Sequence, residues 1–151
     1  MLQKRRDIAS LPDGLQAVAT DIRKGRAVIR KLNGTKGVFE LALPGTALEA
    51  ADCYGFVTLH IEDNLHSDSY FDTIKAGKKA VVYTFVKNEE WATTEFVGPL
   101  VLGDKCAIGY GAEDAGKVIK AVGEVVPVCE VVAVTPAMGG YEEAMITVKL
   151  V

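Results

Sequence analysis

Short runs rich in valine, isoleucine and aromatic residues recur along this chain, and each is cut off by a glycine or proline turn before it reaches helical length. The runs 38–43, 56–61, 80–86, 128–134 and 144–151 have this form; the first stops at Pro44-Gly45, and the fourth lies between Pro127 and Pro136. β-Branched and aromatic side chains suit a pleated, half-buried surface, so each run reads as a strand. Asn33-Gly34, Gly77, Gly98-Pro99, Gly103-Asp104 and Gly139-Gly140 punctuate the intervals, and fifteen glycines in 151 residues exceed the usual share of about 7%. Helix signals are few: 47–52, with Leu48 and Ala51 at i and i+3, and a weaker 11–22. The expectation is one all-β domain with minor α content, a barrel or a sandwich.

One turn recurs. Ile22-Arg23-Lys24-Gly25-Arg26-Ala27-Val28 resembles Ile74-Lys75-Ala76-Gly77-Lys78-Lys79-Ala80-Val81, and the stretch from Val101 to Ile108 has a related shape. In each, an apolar residue enters a glycine turn, a charge follows and an apolar-rich strand leaves. Glycine suits such a turn because it reaches positive φ without steric cost.

The stretch GYGAEDAGKV, 109–118, matches a phosphate-binding loop up to its last position, where Val118 replaces the hydroxyl that joins the magnesium shell. Glu113 and Asp114 would place two carboxylates against a triphosphate. The residues after Lys117 are β-branched, broken by Gly123 and stopped by Pro127, so no helix opens there. A turn between strands is expected instead.

Other chemistry is sparse. The net charge of -3 argues against nucleic acid as the main ligand. Basic residues nevertheless crowd the first 36 positions, as in Lys4-Arg5-Arg6, which is the pattern of a charge-matched partner surface or of a solvated arm. No run of about 18 apolar residues occurs, so no membrane span is expected, and the basic cluster at 4–6 has no apolar segment behind it, so no signal peptide is expected. Cys53, Cys106 and Cys129 are odd in number and lack ligand spacing; they read as small buried apolar residues of a protein kept in a reducing cytosol. His60 and His66 with Glu62, Asp63, Asp68 and Asp72 match no metal pattern and read as a polar loop. Glu89-Glu90 reads as a turn with charged flanks, and Trp91, Tyr83, Phe85 and Phe96 as core or interface. Pro136-Ala137-Met138-Gly139-Gly140 has the shape of a biotin-attachment hairpin but lacks its lysine. No catalytic, cofactor-binding or metal-ligating residue is expected.

From Asp72 to the end, the Ile-x-x-Gly-Lys turn into Val81-Val82-Tyr83, then 90–96, Leu102-Gly103-Asp104-Lys105, Gly116-Lys117-Val118 and a final strand resemble head decoration and related capsid proteins of tailed bacteriophages. The resemblance implies a noncatalytic, β-rich cement protein on the outside of a phage head. It further implies a virion location, synthesis in the host cytoplasm, a homotrimer that bridges the major capsid protein, and no cofactor. The fold expectation is then a barrel or β-tulip-like sandwich at 16–151 with an extended arm at 1–15. Lys4, Arg5, Arg6, Leu11 and Leu15 are the expected contacts of the arm, and Trp91 with Phe96 a buried core or subunit interface. The region 22–61 does not align with this pattern, which leaves a major capsid or tail protein as alternatives; a small cytosolic β-barrel enzyme or ligand-binding module using 60–72 is the rival from another class.

Overall fold

The computed structural model of the chain describes residues 2–6, 12–60, 73–137 and 143–151, with side chains from residue 16 onward except at 59 and 60. In chain order the strands are β1 (Leu2–Arg6), β2 (Pro12–Ala17), β3 (Ile22–Arg23), β4 (Ala27–Asn33), β5 (Val38–Ala42), β6 (Gly55–His60) and β7 (Thr73–Ile74). There follow β8 (Lys79–Thr84), β9 (Glu90–Thr93), β10 (Lys105–Ile108), β11 (Val118–Lys120), β12 (Cys129–Thr135) and β13 (Met145–Leu150), while one helix, α1 (Ala47–Ala51), sits between β5 and β6. The strands form a six-stranded sheet in the order β1-β9-β13-β12-β10-β11, a five-stranded sheet β2-β8-β6-β4-β5 and a two-stranded sheet β3-β7. Every ladder is antiparallel.

The protein is therefore all-β, and it is built of packed open sheets, since among the described residues no sheet closes into a barrel. Isolated parallel bridges curl both large sheets: Val18, just beyond the end strand β2, meets Leu41 of the opposite end strand β5, and Phe96, beyond the inner strand β9, meets Val118 of the end strand β11. Two cores result, because successive residues on a strand point to opposite faces. On the five-stranded sheet Val28, Val57 and Val82 face one core, shared with Val18, Ile22, Leu41 and Ile74. Their neighbours Ala27, Phe56 and Tyr83 face the other, which is filled by the six-stranded sheet through Trp91, Cys106, Cys129, Val131, Ile146 and Val148.

The recurring turn is a structural repeat. Ile22 pairs with Ile74 across the two-stranded sheet, so the two similar segments lie antiparallel to each other. Each then turns at a glycine of positive φ, Gly25 at 96° and Gly77 at 81°, and leaves as β4 or β8. Gly103, at 86°, opens β10 in the same way, and the Asp104 carboxylate closes that turn by accepting the Val101 N–H at 3.0 Å.

Three local expectations are corrected. The weak helical pattern over 11–22 is strand: β2 gives its backbone groups to β8, and Val18 continues onto Leu41. Pro12, Gly14 and β-branched Val18 weaken a helix, and ladder pairing decides the matter. Second, the short helix forms where expected, but Leu48 is 81% exposed and Ala50 is the residue turned inward. Its position is set by a capping box: Thr46 accepts the Glu49 N–H at 3.2 Å, and Glu49 reaches back to the Gly45 N–H at 2.7 Å. Third, the turn before Trp91 ends at Asn88, with φ 70°, and Glu89 is fully buried rather than a solvated flank.

Candidate functional site

The loop resembling a phosphate cradle is a hairpin connection. Gly109 donates to the Lys117 carbonyl at 2.8 Å and Gly116 to that of Gly109 at 2.9 Å, so these N–H groups are spent within the turn. Gly116 is required by packing: at φ +78° a Cβ there would lie 2.4 Å from the Ala27 carbonyl oxygen. The expected strand and turn after Lys117 are borne out by β11 and by Gly123, whose φ is 68°.

Two regions bring unusual chemistry together. The first is a charged junction between the sheets. Glu95, 3% exposed, receives Arg26 Nε at 2.8 Å and Arg23 Nε at 3.1 Å. Arg23 Nη2 also donates to both carboxylate oxygens of Glu143, at 2.6 and 2.8 Å, and Arg26 donates to the Ala115 carbonyl at 3.3 Å. The Glu143 carboxylate holds the Arg23 guanidinium above its ordinary acidity range. Buried Thr93 orients the junction, donating to the Gly25 carbonyl and accepting the Glu95 N–H at 3.0 Å. Four chain segments meet here: the β3–β4 turn, the exit of β9, the 115–117 turn and the entry to β13. With Thr94, Phe96 and Lys117 these residues line a recess of about 380 Å³.

The second region is an apolar groove of about 350 Å³ between α1, the β10–β11 hairpin and the loop 122–128. Ala47, Ala50 and Ala51 form one wall; Ala107, Ile108 and Ile119 form the floor; Val125 and Val126 form the other wall. The loop is tied at both ends to β10, through Ala121 N–H to Lys105 at 2.9 Å and Val128 N–H to Cys106 at 2.8 Å. Its middle stands out: Val122 is 73% and Val126 74% exposed, with exposed Tyr110 and Leu48 beside the same walls. Among the described residues, Glu124 is the one charged residue that lines the groove. A contiguous exposed apolar surface rimmed by charge is the form taken by protein contact sites.

The residues singled out from sequence are dispersed. Lys4, Arg5 and Arg6 lie in β1, an end strand of the six-stranded sheet whose backbone pairs with β9; Lys4 stands opposite Trp91 and Arg6 opposite Glu90. Leu15 lies in β2, paired to β8, and Leu11 is outside the described residues. Where it is described, the expected arm is thus strand in the chain's own sheets. Trp91 is core: it is 1% exposed and packs on Tyr83 at 5.1 Å and Phe56 at 6.4 Å between ring centroids. Phe96 is half-buried, at the bridge to β11 and at the edge of the charged recess. The polar loop 61–72 and residues 138–142 of the glycine hairpin are outside the described residues.

Sequence reasoning missed both regions. Arg23, Arg26, Glu95 and Glu143 are separated by up to 120 positions, and nothing in their spacing joins them. The groove did leave a trace: Val122, Val125 and Val126 flank Gly123 in a turn-forming stretch, where apolar side chains are out of place. Comparisons with family models, with curated proteins and with solved structures give no match.

Proposed function

We propose that this chain is a noncatalytic structural protein of a tailed-phage virion, a decoration or cement protein that binds the outside of the head and stabilises the capsid lattice. The observation that carries the reading is the apolar groove with the exposed valines of 122–128. That much exposed apolar surface on a small domain is costly unless a partner covers it. The resemblance of the segment from Asp72 onward supplies the kind of partner: the major capsid protein and further copies of the chain, as a homotrimer. A cement protein whose contacts exist only on the assembled, expanded shell stabilises that state by mass action. The end strand β1, with Lys4-Arg5-Arg6 in its sequence, offers a second means of contact through strand addition.

A second reading has one observation in its favour. The recess at Arg23, Arg26 and Lys117 gathers three cations around two carboxylates, as in a binding module for a small anion.

Light scattering of the purified protein, followed by co-sedimentation with expanded phage heads, separates the two. Decoration predicts a trimer, or a monomer that sediments with heads, and in either case a loss of association in Val126→Asp. A monomer that ignores heads, and that binds inorganic phosphate by calorimetry, would replace the first reading by the second.

A further inference from the structure

Cys106 on β10 and Cys129 on β12 stand directly opposite each other in an antiparallel ladder. Opposed residues in such a ladder share one face, with Cα atoms about 4.5 or 5.5 Å apart, and both values lie within the range a disulfide spans. Both side chains are fully buried in the same core cluster. Cys129 Sγ sits 3.9 Å from the Cys106 carbonyl oxygen, and Cys106 Sγ 3.7 Å from that of Asp104. With Cys129 beside it the Cys106 thiol is drawn below its ordinary range, while Cys106 and burial push the Cys129 thiol above its own. Lys120 adds to the lowering at Cys106.

We propose that Cys106 and Cys129 form a reversible two-electron redox site, closed by a small peroxide into an intrachain cross-strand disulfide. The Cys106 thiolate attacks one oxygen of hydrogen peroxide, which leaves a sulfenic acid on Cys106 and releases hydroxide. The Cys129 sulfur then attacks the Cys106 sulfur and expels a second hydroxide. The two thiol protons join the two hydroxides, so one peroxide is reduced to two waters as two thiols become one disulfide. Only local opening is needed to admit the oxidant, because β10 and β12 share two register pairs, Lys105–Glu130 and Cys106–Cys129, the shortest ladder in the six-stranded sheet. Closure staples that ladder and fixes the β10–β11 hairpin, which carries the floor of the apolar groove. Cys53 is set apart from this chemistry: burial pushes its thiol up to about 12, leaving almost no thiolate at neutral pH.

The test is limited hydrogen peroxide on the folded full chain, then denaturation, alkylation and peptide mass mapping, with Cys53→Ser beside the natural sequence. The expected product is a Cys106–Cys129 linked peptide, two hydrogens lighter than its parts. Dithiothreitol should reverse it, and it should raise Tm by roughly 5 °C. Loss of the link in Cys129→Ser, with stable oxidation of Cys106 in its place, supports the assignment. If Cys129→Ser does not fold, the Cys53→Ser chain still decides. Three unmodified thiols, a link through Cys53, or sulfinic acid at Cys106 without a link would each overturn it. The result does not depend on the decoration reading, since it needs no capsid.

Discussion

The charged junction and the apolar groove reverse the usual arrangement in opposite directions. At Glu95 the chain buries a carboxylate between two guanidinium groups; between α1 and 122–128 it leaves valines in water. The buried charges are satisfied within the chain, because Glu95, Arg23, Arg26, Thr93 and Glu143 are partners of one another and of nearby backbone. Their geometry joins two sheets whose strands are otherwise separate ladders. The exposed valines have no such closure on this surface. Buried charge here fastens the molecule to itself, while the apolar side chains of 122–126 remain in contact with water.

Four changes would break or sharpen that contrast. Glu95→Ala leaves two partly buried cations facing a void and should destabilise the protein by about 3 kcal/mol in urea unfolding. A change under about 0.5 kcal/mol would mean that the junction fastens nothing. Gly116→Ala strains a backbone between the two regions, whose carbonyl accepts the Ala27 N–H at 2.7 Å, and should cost about 2 kcal/mol in the same assay.

Acid should weaken the fold more gently. Asp21 is held below its ordinary 3.8 by Lys75, Asp104 by Lys120, Glu40 below 4.5 by Lys36 and Glu49 by the Gly45 N–H. A carboxylate that binds its proton more weakly when folded stabilises the fold above its unfolded pKa, and that contribution is lost as pH falls through the folded value. Tm should therefore hold steady above about pH 5 and drop below about pH 4, with a smaller drop in Asp104→Asn. Finally, Val126→Ser should change stability by less than about 0.5 kcal/mol, yet lower the mass seen by light scattering if the groove is a contact between copies.

Much of the architecture was legible without coordinates. The runs at 38–43, 56–61, 80–86, 128–134 and 144–151 became strands within a residue or two at each end, because β-branched side chains bounded by turn residues express a local preference. The repeated Ile-to-glycine turn was legible for the same reason, since a backbone at positive φ restricts the residue that occupies it. The class of fold followed from those two signals. Trp91 belonged inside on its size alone, but whether inside meant a core or a subunit boundary awaited its packing on Tyr83 and Phe56.

Tertiary structure decided what depends on distant partners. The 11–22 segment took its strand from β8 and Leu41, against its own weak helical pattern. Leu48 faces out because a capping box and Ala50 fix a helix of a single turn, too short for its periodicity to choose a face. Glu95 found its arginines, and Cys106 its Cys129, only when strands far apart in sequence came into register. Local preferences act over a few residues and can be read from the order of the amino acids. Ion pairs, grooves and facing thiols are made by the closure of long loops, and no short stretch of sequence contains both halves of them.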